Sequence, residues 1–261
     1  MASTEDIVAT VPEPAGADVR VGVVEYDHAG TALEGLLAKD ASLTGKRPAV
    51  LVVHDWFGVN EHMEARVTML ARLGYVAMAA DIYGKGVRPG PEEAGAVAGG
   101  FYQDLPLLRA RAQAGLDRLL EDPSVDPTRV AVMGYCFGGS TALELARSGA
   151  DVVGAISFHG GLIAHDPSDA ATIRAKLLVL TGAADPMVDD DAVLAWENEM
   201  RAAPDVDWQV VTYAGAMHAF AVPGTNAPEY GVQYQATADR RSWQAMRSFL
   251  AEVFDDGAVT V

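Results

Sequence analysis

The sequence predicts an α/β protein with one mostly parallel, doubly wound sheet and helices on both faces of that sheet. Strand-length apolar runs alternate with helical periods through most of the 261 residues. Two early strands joined by a turn precede the repeated strand–helix units, an order typical of this class. Since no repeat or linker divides the chain, we expect a mobile tail over residues 1–18 and a single domain over residues 19–261.

Apolar runs of strand length define the predicted sheet. Residues 20–26 and 32–38 are predicted as an antiparallel pair, because Asp27-His28-Ala29-Gly30 between them is typical of a turn. Residues 49–54 and 75–80 are near-continuous apolar runs, as expected for strands covered on both faces. Further strands are predicted at residues 129–133, 152–158, 176–181 and 208–213.

Apolar residues at helical spacing lie between these strands. They predict helices at residues 62–73, 104–120, 138–148, 190–202 and 236–253. The glycine- and proline-rich stretch 84–100 is predicted as a loop with one short helix. The segment between the strands at 152–158 and 176–181 is too short for a large lid domain, so none is expected.

The charge of the chain narrows its expected partners. There are 36 acidic and 19 basic residues, for a net charge of −17, which disfavours nucleic acid and anionic membranes. Salt adaptation and a merely solubilising surface explain this acidity equally well. The sequence predicts neither a membrane span nor a signal peptide, because its apolar runs are short and its N-terminus is acidic. We therefore expect a cytoplasmic monomer or homodimer that acts on a small molecule.

The chain has one cysteine, which excludes an intrachain disulfide and a thiolate zinc cluster. It lies in Gly134-x-Cys136-x-Gly138, between the predicted strand 129–133 and the predicted helix 138–148. This pattern matches the nucleophile elbow of α/β-hydrolases, G-x-S-x-G, with sulfur in place of oxygen. The sharp turn crowds the positions two before and two after the nucleophile, so both are glycine. A helix N-terminus also favours thiolate. The alternative is an inert, buried thiol beside glycines that only allow close packing.

The acid of an α/β-hydrolase follows the nucleophile on a loop after a strand. Asp185 meets this requirement, because it lies in the small-residue loop after the strand at 176–181. Residues 189–191 are also aspartates, but they head the next predicted helix and are expected to stabilise its N-terminus. Asp185 is therefore the predicted acid.

The base is expected on the loop after the next strand, and His218 follows the strand at 208–213. His159 precedes the acid, which is the wrong order, and His54 lies on the third strand. His218 is therefore the predicted base, with a structural loop histidine as the alternative.

These residues together predict acyl transfer through a covalent thioester. His218 removes the thiol proton, Cys136 attacks a carbonyl carbon, and water activated by His218 releases the acid. Asp185 holds the imidazole in the required tautomer. One oxyanion donor is expected at the backbone N–H of Phe137, and the other in the loop after the third strand.

Five segments together resemble the dienelactone hydrolase family. In chain order they are His-Asp-Trp-Phe-Gly-Val-Asn at 54–60, Asp81-Ile-Tyr83, Gly-Tyr-Cys-Phe-Gly-Gly at 134–139, Gly182-x-x-Asp185 and Gly215-x-x-His218-x-Phe220. No single segment suffices, but the cysteine elbow combined with the Phe-Gly-Val-Asn loop is specific. The resemblance implies a carboxymethylenebutenolidase-like ester or lactone hydrolase without metal or organic cofactor. It also implies Trp56 and Phe137 as the backbone oxyanion donors.

Some positions depart from the family pattern. Asp55 stands where the resemblance places a glutamate that holds the resting thiol; being one methylene shorter, it either contacts sulfur or orients neighbouring groups. The two arginines that grip the substrate carboxylate in the family archetype correspond to Lys85 and Val222. We take Tyr83, Lys85 and Arg88 as candidate substrate-binding residues. Lysine lacks the planar fork that binds a carboxylate with two hydrogen bonds, and valine carries no charge, so a less polar ester or lactone fits better than dienelactone.

Two other classes of function remain as alternatives. A non-catalytic ligand-binding or thiol redox-sensing protein of the same fold would need neither acid nor base, although both are present here. A thioesterase would use the same residues. Dehalogenation is disfavoured, because it usually requires a carboxylate at the elbow.

Overall fold

The computed structural model describes residues 2–162 and 166–255, which form an eight-stranded sheet with helices on both faces. The strands are β1 (Val19–His28), β2 (Thr31–Asp40), β3 (Arg47–Val53), β4 (Val76–Ala80), β5 (Val125–Tyr135), β6 (Gly154–Phe158), β7 (Lys176–Gly182) and β8 (Trp208–Tyr213). Their order is β1-β2-β4-β3-β5-β6-β7-β8. β1–β2 and β2–β4 are antiparallel and the other pairs are parallel, which confirms the predicted sheet.

The helices divide into two layers. They are α1 (Thr4–Ala9), α2 (Glu61–Arg72), α3 (Pro91–Gln103), α4 (Leu105–Leu120), α5 (Phe137–Arg147), α6 (Asp190–Ala202) and α7 (Ala236–Asp255). Helices α1, α2 and α7 share one apolar core with one face of the sheet. Helices α3, α4, α5 and α6 share a second core with the opposite face. The predicted doubly wound arrangement is confirmed, and within the described residues no lid domain separates β6 from β7.

The stretch 84–100 differs from the prediction. It contains most of α3, a helix of 13 residues that starts with Pro91 after Gly90. Ala94 and Ala98 are buried, and Phe101 packs on the core that includes α5. Composition misled the prediction because glycine disfavours helix, whereas burial of these small residues overrides that propensity.

The N-terminal segment also differs from the predicted mobile tail. Ser3 and Asp6 form a capping box at the start of α1, with Ser3 N–H donating to Asp6 Oδ2 at 2.7 Å and Asp6 N–H to Ser3 Oγ at 3.1 Å. Ile7 and Val11 are buried in the core on the α2 side. Arg72 of α2 holds the segment further by donating to the carbonyl of Val11 at 2.9 Å.

The carboxyl ends of the parallel strands meet at one edge of the sheet. The loops that follow β3, β5, β7 and β8 all leave from that edge, and each carries a residue predicted for the active site. This edge is where α/β folds place their ligands, since the loops there converge while the sheet stays rigid.

Candidate active site

The turn between β5 and α5 holds Cys136 in a strained conformation, with φ 53° and ψ −114°. A Cβ on Gly134 would lie 2.1 Å from the carbonyl oxygen of Gly138, and a Cβ on Gly138 would lie 2.1 Å from that of Val53. Both positions therefore require glycine, as the elbow pattern predicts. Cys136 N–H donates to the carbonyl of Phe158 at 3.0 Å, which ties the turn to β6.

The three residues predicted for catalysis lie in one hydrogen-bonded line. The Cys136 Sγ is 3.1 Å from His218 Nε2, and His218 Nδ1 is 2.8 Å from Asp185 Oδ2. Cys136 is partly exposed, whereas His218 and Asp185 are almost fully buried. A partly exposed thiol beside an imidazole oriented by a carboxylate is the geometry of a nucleophile with its base.

A short hairpin that was absent from the sequence prediction fixes the backbone of His218. The hairpin pairs Asn226–Ala227 (β9) with Val232–Gln233 (β10). The N–H of His218 donates to the carbonyl of Gly231 at 3.0 Å, and the N–H of Gln233 donates to that of His218 at 3.0 Å. His218 is thus held from both of its peptide groups.

The loop after β7 orients Asp185. Its Oδ1 accepts hydrogen bonds from the N–H groups of Met187 at 2.8 Å and Val188 at 3.2 Å, which leaves Oδ2 for His218. Asp189 instead caps α6 by accepting from the N–H of Ala192 at 2.9 Å, as its position at a helix start predicts.

The charges around His218 favour its protonated form. Burial disfavours the imidazolium, but the negative charge of a Cys136 thiolate and hydrogen bonds to Asp185 and Cys136 outweigh burial. Together they raise the pKa of His218 from 6.5 to about 10. A protonated His218 next to Sγ would stabilise negative charge on the sulfur.

The thiol opens into a cavity of about 150 Å³ with a mostly apolar wall. The wall consists of Asp55, Trp56, Phe57, Cys136, Met187, His218, Ala219, Val222, Thr225 and Val232. The sequence analysis located Cys136, His218 and the Trp56 loop, but missed Met187, two residues after Asp185, and Val232 of β10 as parts of the wall. A larger surface cavity of about 610 Å³ lies between α1 and α7, and its described lining contains none of the three residues in the hydrogen-bonded line.

The predicted oxyanion donors belong to loops that meet at the elbow. Within the described ranges, no residue accepts a hydrogen bond from the backbone N–H of Trp56 or Phe137. Trp56 lines the cavity beside Cys136, and Phe137 is the first residue of α5. Both N–H groups are therefore available for a ligand oxygen.

Asp55 orients its own loop. Its Oδ1 accepts from Phe57 N–H at 2.9 Å and lies 3.4 Å from Asn60 Nδ2, while its Oδ2 lies 3.8 Å from His62 Nδ1. Among the described residues it makes no hydrogen bond to Cys136. Of the two roles open from the sequence, the resting contacts favour orientation of neighbouring groups over contact with sulfur.

Lys85 and Arg88 do not reach the cavity, in contrast to their expected contact with substrate. Lys85 lies between Glu25 and Glu34, with which it forms ion pairs. Arg88 Nε donates to the carbonyl of Val59 at 2.6 Å. Acidic residues of β1 and β2 hold the lysine, and backbone carbonyls hold the arginine, so neither is among the described residues of the cavity wall.

Tyr83 and His54 hold the backbone of the loop that follows β3. Tyr83 O–H donates to the carbonyl of Trp56 at 3.3 Å, and its ring packs 5.2 Å from that of Phe137. His54 Nε2 accepts from Ile82 N–H at 3.1 Å, so its Nδ1 carries the proton and donates to the carbonyl of Asp55 at 2.5 Å. Tyr83 is thus a supporting residue in this structure, not part of the cavity wall.

No group of three or more histidine, cysteine, aspartate or glutamate side chains in the described ranges is arranged to hold a metal ion. None of the described helices combines the length and apolar character needed to cross a membrane.

Comparisons with known proteins agree with this architecture. The crystal structure of P91, a dienelactone hydrolase-like promiscuous phosphotriesterase from metagenomic libraries, is 40% identical, covers 92% of this chain and 100% of that one, and superimposes with a TM-score of 0.87. A Salmonella typhimurium protein named "Putative carboxymethylenebutenolidase" is 27% identical over 259 residues, which are 92% of this chain and 89% of that protein. A solved structure from Klebsiella pneumoniae, 23% identical with a TM-score of 0.76 over 90% of this chain and 99% of that one, has the same fold.

A sequence profile of a hydrolase family matches residues 33–254, from β2 to the end of α7. The matched segment contains the elbow, the hydrogen-bonded line and the loop of Trp56. The chain belongs to the dienelactone hydrolase family.

Proposed function

We propose that the chain hydrolyses an uncharged carboxylic ester or lactone of a small molecule, with Cys136 as nucleophile, His218 as base and Asp185 as orienting acid. The observation that carries the proposal is the line from Sγ to Nε2 at 3.1 Å and from Nδ1 to Oδ2 at 2.8 Å, at the wall of an apolar cavity. Membership of a hydrolase family supports the same class of reaction.

In the first half of the reaction, the Cys136 sulfur attacks the carbonyl carbon while its proton is held on His218 Nε2. The carbonyl oxygen becomes an oxyanion that accepts from the N–H groups of Trp56 and Phe137. When the tetrahedral intermediate collapses, the C–O bond breaks and His218 gives its proton to the leaving alkoxide. A thioester on Cys136 remains, and in a lactone the alcohol stays attached to the acyl group.

In the second half, neutral His218 takes a proton from water as that water attacks the thioester carbon. The same two N–H groups stabilise the second oxyanion. The C–S bond breaks, the carboxylic acid leaves, and the proton on His218 restores the starting ion pair. Asp185 keeps Nδ1–H oriented throughout, so that Nε2 always faces the reacting atoms.

The cavity wall favours a substrate without a free carboxylate near the scissile bond. Its described residues include Asp55 but no lysine or arginine, and Val222 occupies the position of one arginine in the family archetype. A buried carboxylate without a counter-charge is costly. A small, uncharged acyl group meets the apolar side chains and the volume of about 150 Å³.

A second candidate activity is hydrolysis of uncharged phosphotriesters. The observation that favours it is the 40% identity to a protein described as a promiscuous phosphotriesterase. A neutral triester meets the same requirement for an uncharged ligand in this cavity.

Replacement of the nucleophile tests the proposed chemistry. Cys136→Ala should lower kcat for a small 4-nitrophenyl ester by at least about a thousandfold, because no covalent intermediate can form. Asp185→Asn, which keeps the shape of the acid, should lower kcat by at least about a hundredfold through loss of the required tautomer. Stopped-flow release of nitrophenolate measures both, and circular dichroism checks the fold. Undiminished turnover in Cys136→Ala would refute the assignment and favour a non-catalytic thiol.

A matched pair of esters tests the substrate class. We expect kcat/KM to be at least about tenfold higher for 4-nitrophenyl butyrate than for mono-4-nitrophenyl succinate, because only the second places a carboxylate in the cavity. Val222→Arg should narrow this difference by supplying a cation. A wild-type preference for the succinate would contradict the proposal.

Turnover of a neutral 4-nitrophenyl dialkyl phosphate that is lost in Cys136→Ala would support the second candidate activity, phosphotriester hydrolysis, and no turnover would remove it.

The ion pair predicts how His218 titrates. Because its pKa is raised from 6.5 to about 10, the stabilisation that it contributes is complete below pH 6.5 and is lost as the pH rises through about 10. In Cys136→Ala the pKa should fall, since the thiolate is the largest influence that raises it. Nitrogen-15 NMR of histidine-labelled protein measures the pKa in both proteins. An equal pKa in the two would contradict a thiolate–imidazolium pair.

A further inference from the structure

A buried polar chain runs from α7 to the cavity wall and has no part in the proposed reaction. It consists of Asp239, Arg66, His62 and Asp55, of which the arginine is 1% exposed and the others no more than 5%. Burying ionisable groups is costly unless they are paired and hydrogen-bonded. The last member, Asp55, lines the cavity at Cys136.

The arginine of this chain is held rigidly. Arg66 donates from its terminal nitrogen to Asp239 Oδ1 at 2.6 Å and to the carbonyl of Ala221 at 2.7 Å. Its guanidinium also lies 5.2 Å from the ring centres of Tyr135 and Trp243. These contacts fix the direction in which Nε points.

Arg66 determines the tautomer of His62. The guanidinium Nε can only donate, and it lies 3.1 Å from His62 Nε2, so that nitrogen must be the unprotonated acceptor. Burial lowers the pKa of His62, and the ring is therefore neutral with one proton. That proton lies on Nδ1.

The Nδ1–H of His62 faces the free oxygen of the Asp55 carboxylate. Among the described residues, His62 Nδ1 has no hydrogen-bond partner, and Asp55 Oδ2 lies 3.8 Å from it. The other oxygen, Oδ1, is already engaged by Phe57 N–H. A shift of about 1 Å would close the gap to hydrogen-bond length.

We propose that His62, locked in its Nδ1–H tautomer by Arg66, is a positioning residue that holds the charge of Asp55 away from the reacting atoms of the Cys136 cavity. A carboxylate in the wall opposes both the thiolate and the developing oxyanion, since like charges repel strongly where water is scarce. When the gap of 3.8 Å closes, donation from His62 Nδ1–H holds Oδ2 on the side of α2. The effect falls on the transition state, so it alters kcat more than KM. This inference rests on the proposed function of Cys136.

The first test measures the tautomer without any reference to activity. Nitrogen-15 NMR of histidine-labelled wild-type protein should show a neutral ring with the proton on Nδ1 for His62, assigned by the signal lost in His62→Asn. A proton on Nε2, or a protonated ring at neutral pH, would overturn the proposal.

The second test measures how His62 and Asp55 depend on each other. His62→Leu should lower kcat for 4-nitrophenyl butyrate about tenfold with KM nearly unchanged, within the range expected for residues in contact. His62→Asn keeps a donor near the position of Nδ1 and should restore most of kcat. In an Asp55→Asn background, which has no charge to position, His62→Leu should have little further effect.

His28 supplies a matched control. Its Nδ1 lies 3.1 Å from Arg111 Nε, the same kind of arginine–histidine contact, but it is not part of the described cavity wall. His28→Leu should leave kcat unchanged. Equal losses from His62→Leu with and without the Asp55 charge, or no recovery in His62→Asn, would overturn positioning while leaving the nucleophile assignment intact. An inactive wild-type enzyme would instead contradict the proposed function.

Discussion

The backbone crowding at the elbow is the constraint on which the rest of the site depends. Three segments, the end of β3, the end of β5 and the start of α5, approach so closely that side chains at Gly134 and Gly138 would collide with carbonyl oxygens. Cys136 is thereby left with a positive φ, a strain of about 1–3 kcal/mol that the surrounding sheet must sustain. This turn places the sulfur at the carboxyl edge of the sheet, where Cys136 is partly exposed and lines the cavity.

The partners of the thiol reach it through contacts made elsewhere. The hairpin of β9 and β10 fixes the peptide groups of His218, and the loop after β7 fixes Asp185. Three acidic groups lie at or beside the cavity, the thiol of Cys136 and the carboxyl groups of Asp185 and Asp55, in a chain of net charge −17. The imidazole of His218 lies between the first two. The third, Asp55, lies at the end of the buried polar chain of Asp239, Arg66 and His62, for which we propose a positioning role.

The sequence predicts what local patterns encode. Apolar runs reveal the strands, the glycines on either side of Cys136 reveal the elbow, and loops after strands reveal Asp185 and His218. Contacts between distant segments leave no such trace. The ion pairs of Lys85 depend on how β1 and β2 lie beside its loop. The approach of Val232 to the cavity depends on a hairpin whose two strands have only two residues each. Helix α3 is longer than the short helix predicted for this stretch, because burial stabilises a composition that glycine alone would disfavour.

Direct detection of the acyl-enzyme tests the central claim that the sulfur of residue 136 attacks the substrate carbonyl. Protein mixed with excess 4-nitrophenyl butyrate and quenched in acid should gain the mass of one butyryl group, located on the peptide that contains Cys136 and removed by neutral hydroxylamine. The Cys136→Ala protein should gain none. Steady hydrolysis with no adduct at residue 136, or an adduct on another side chain, would contradict the account.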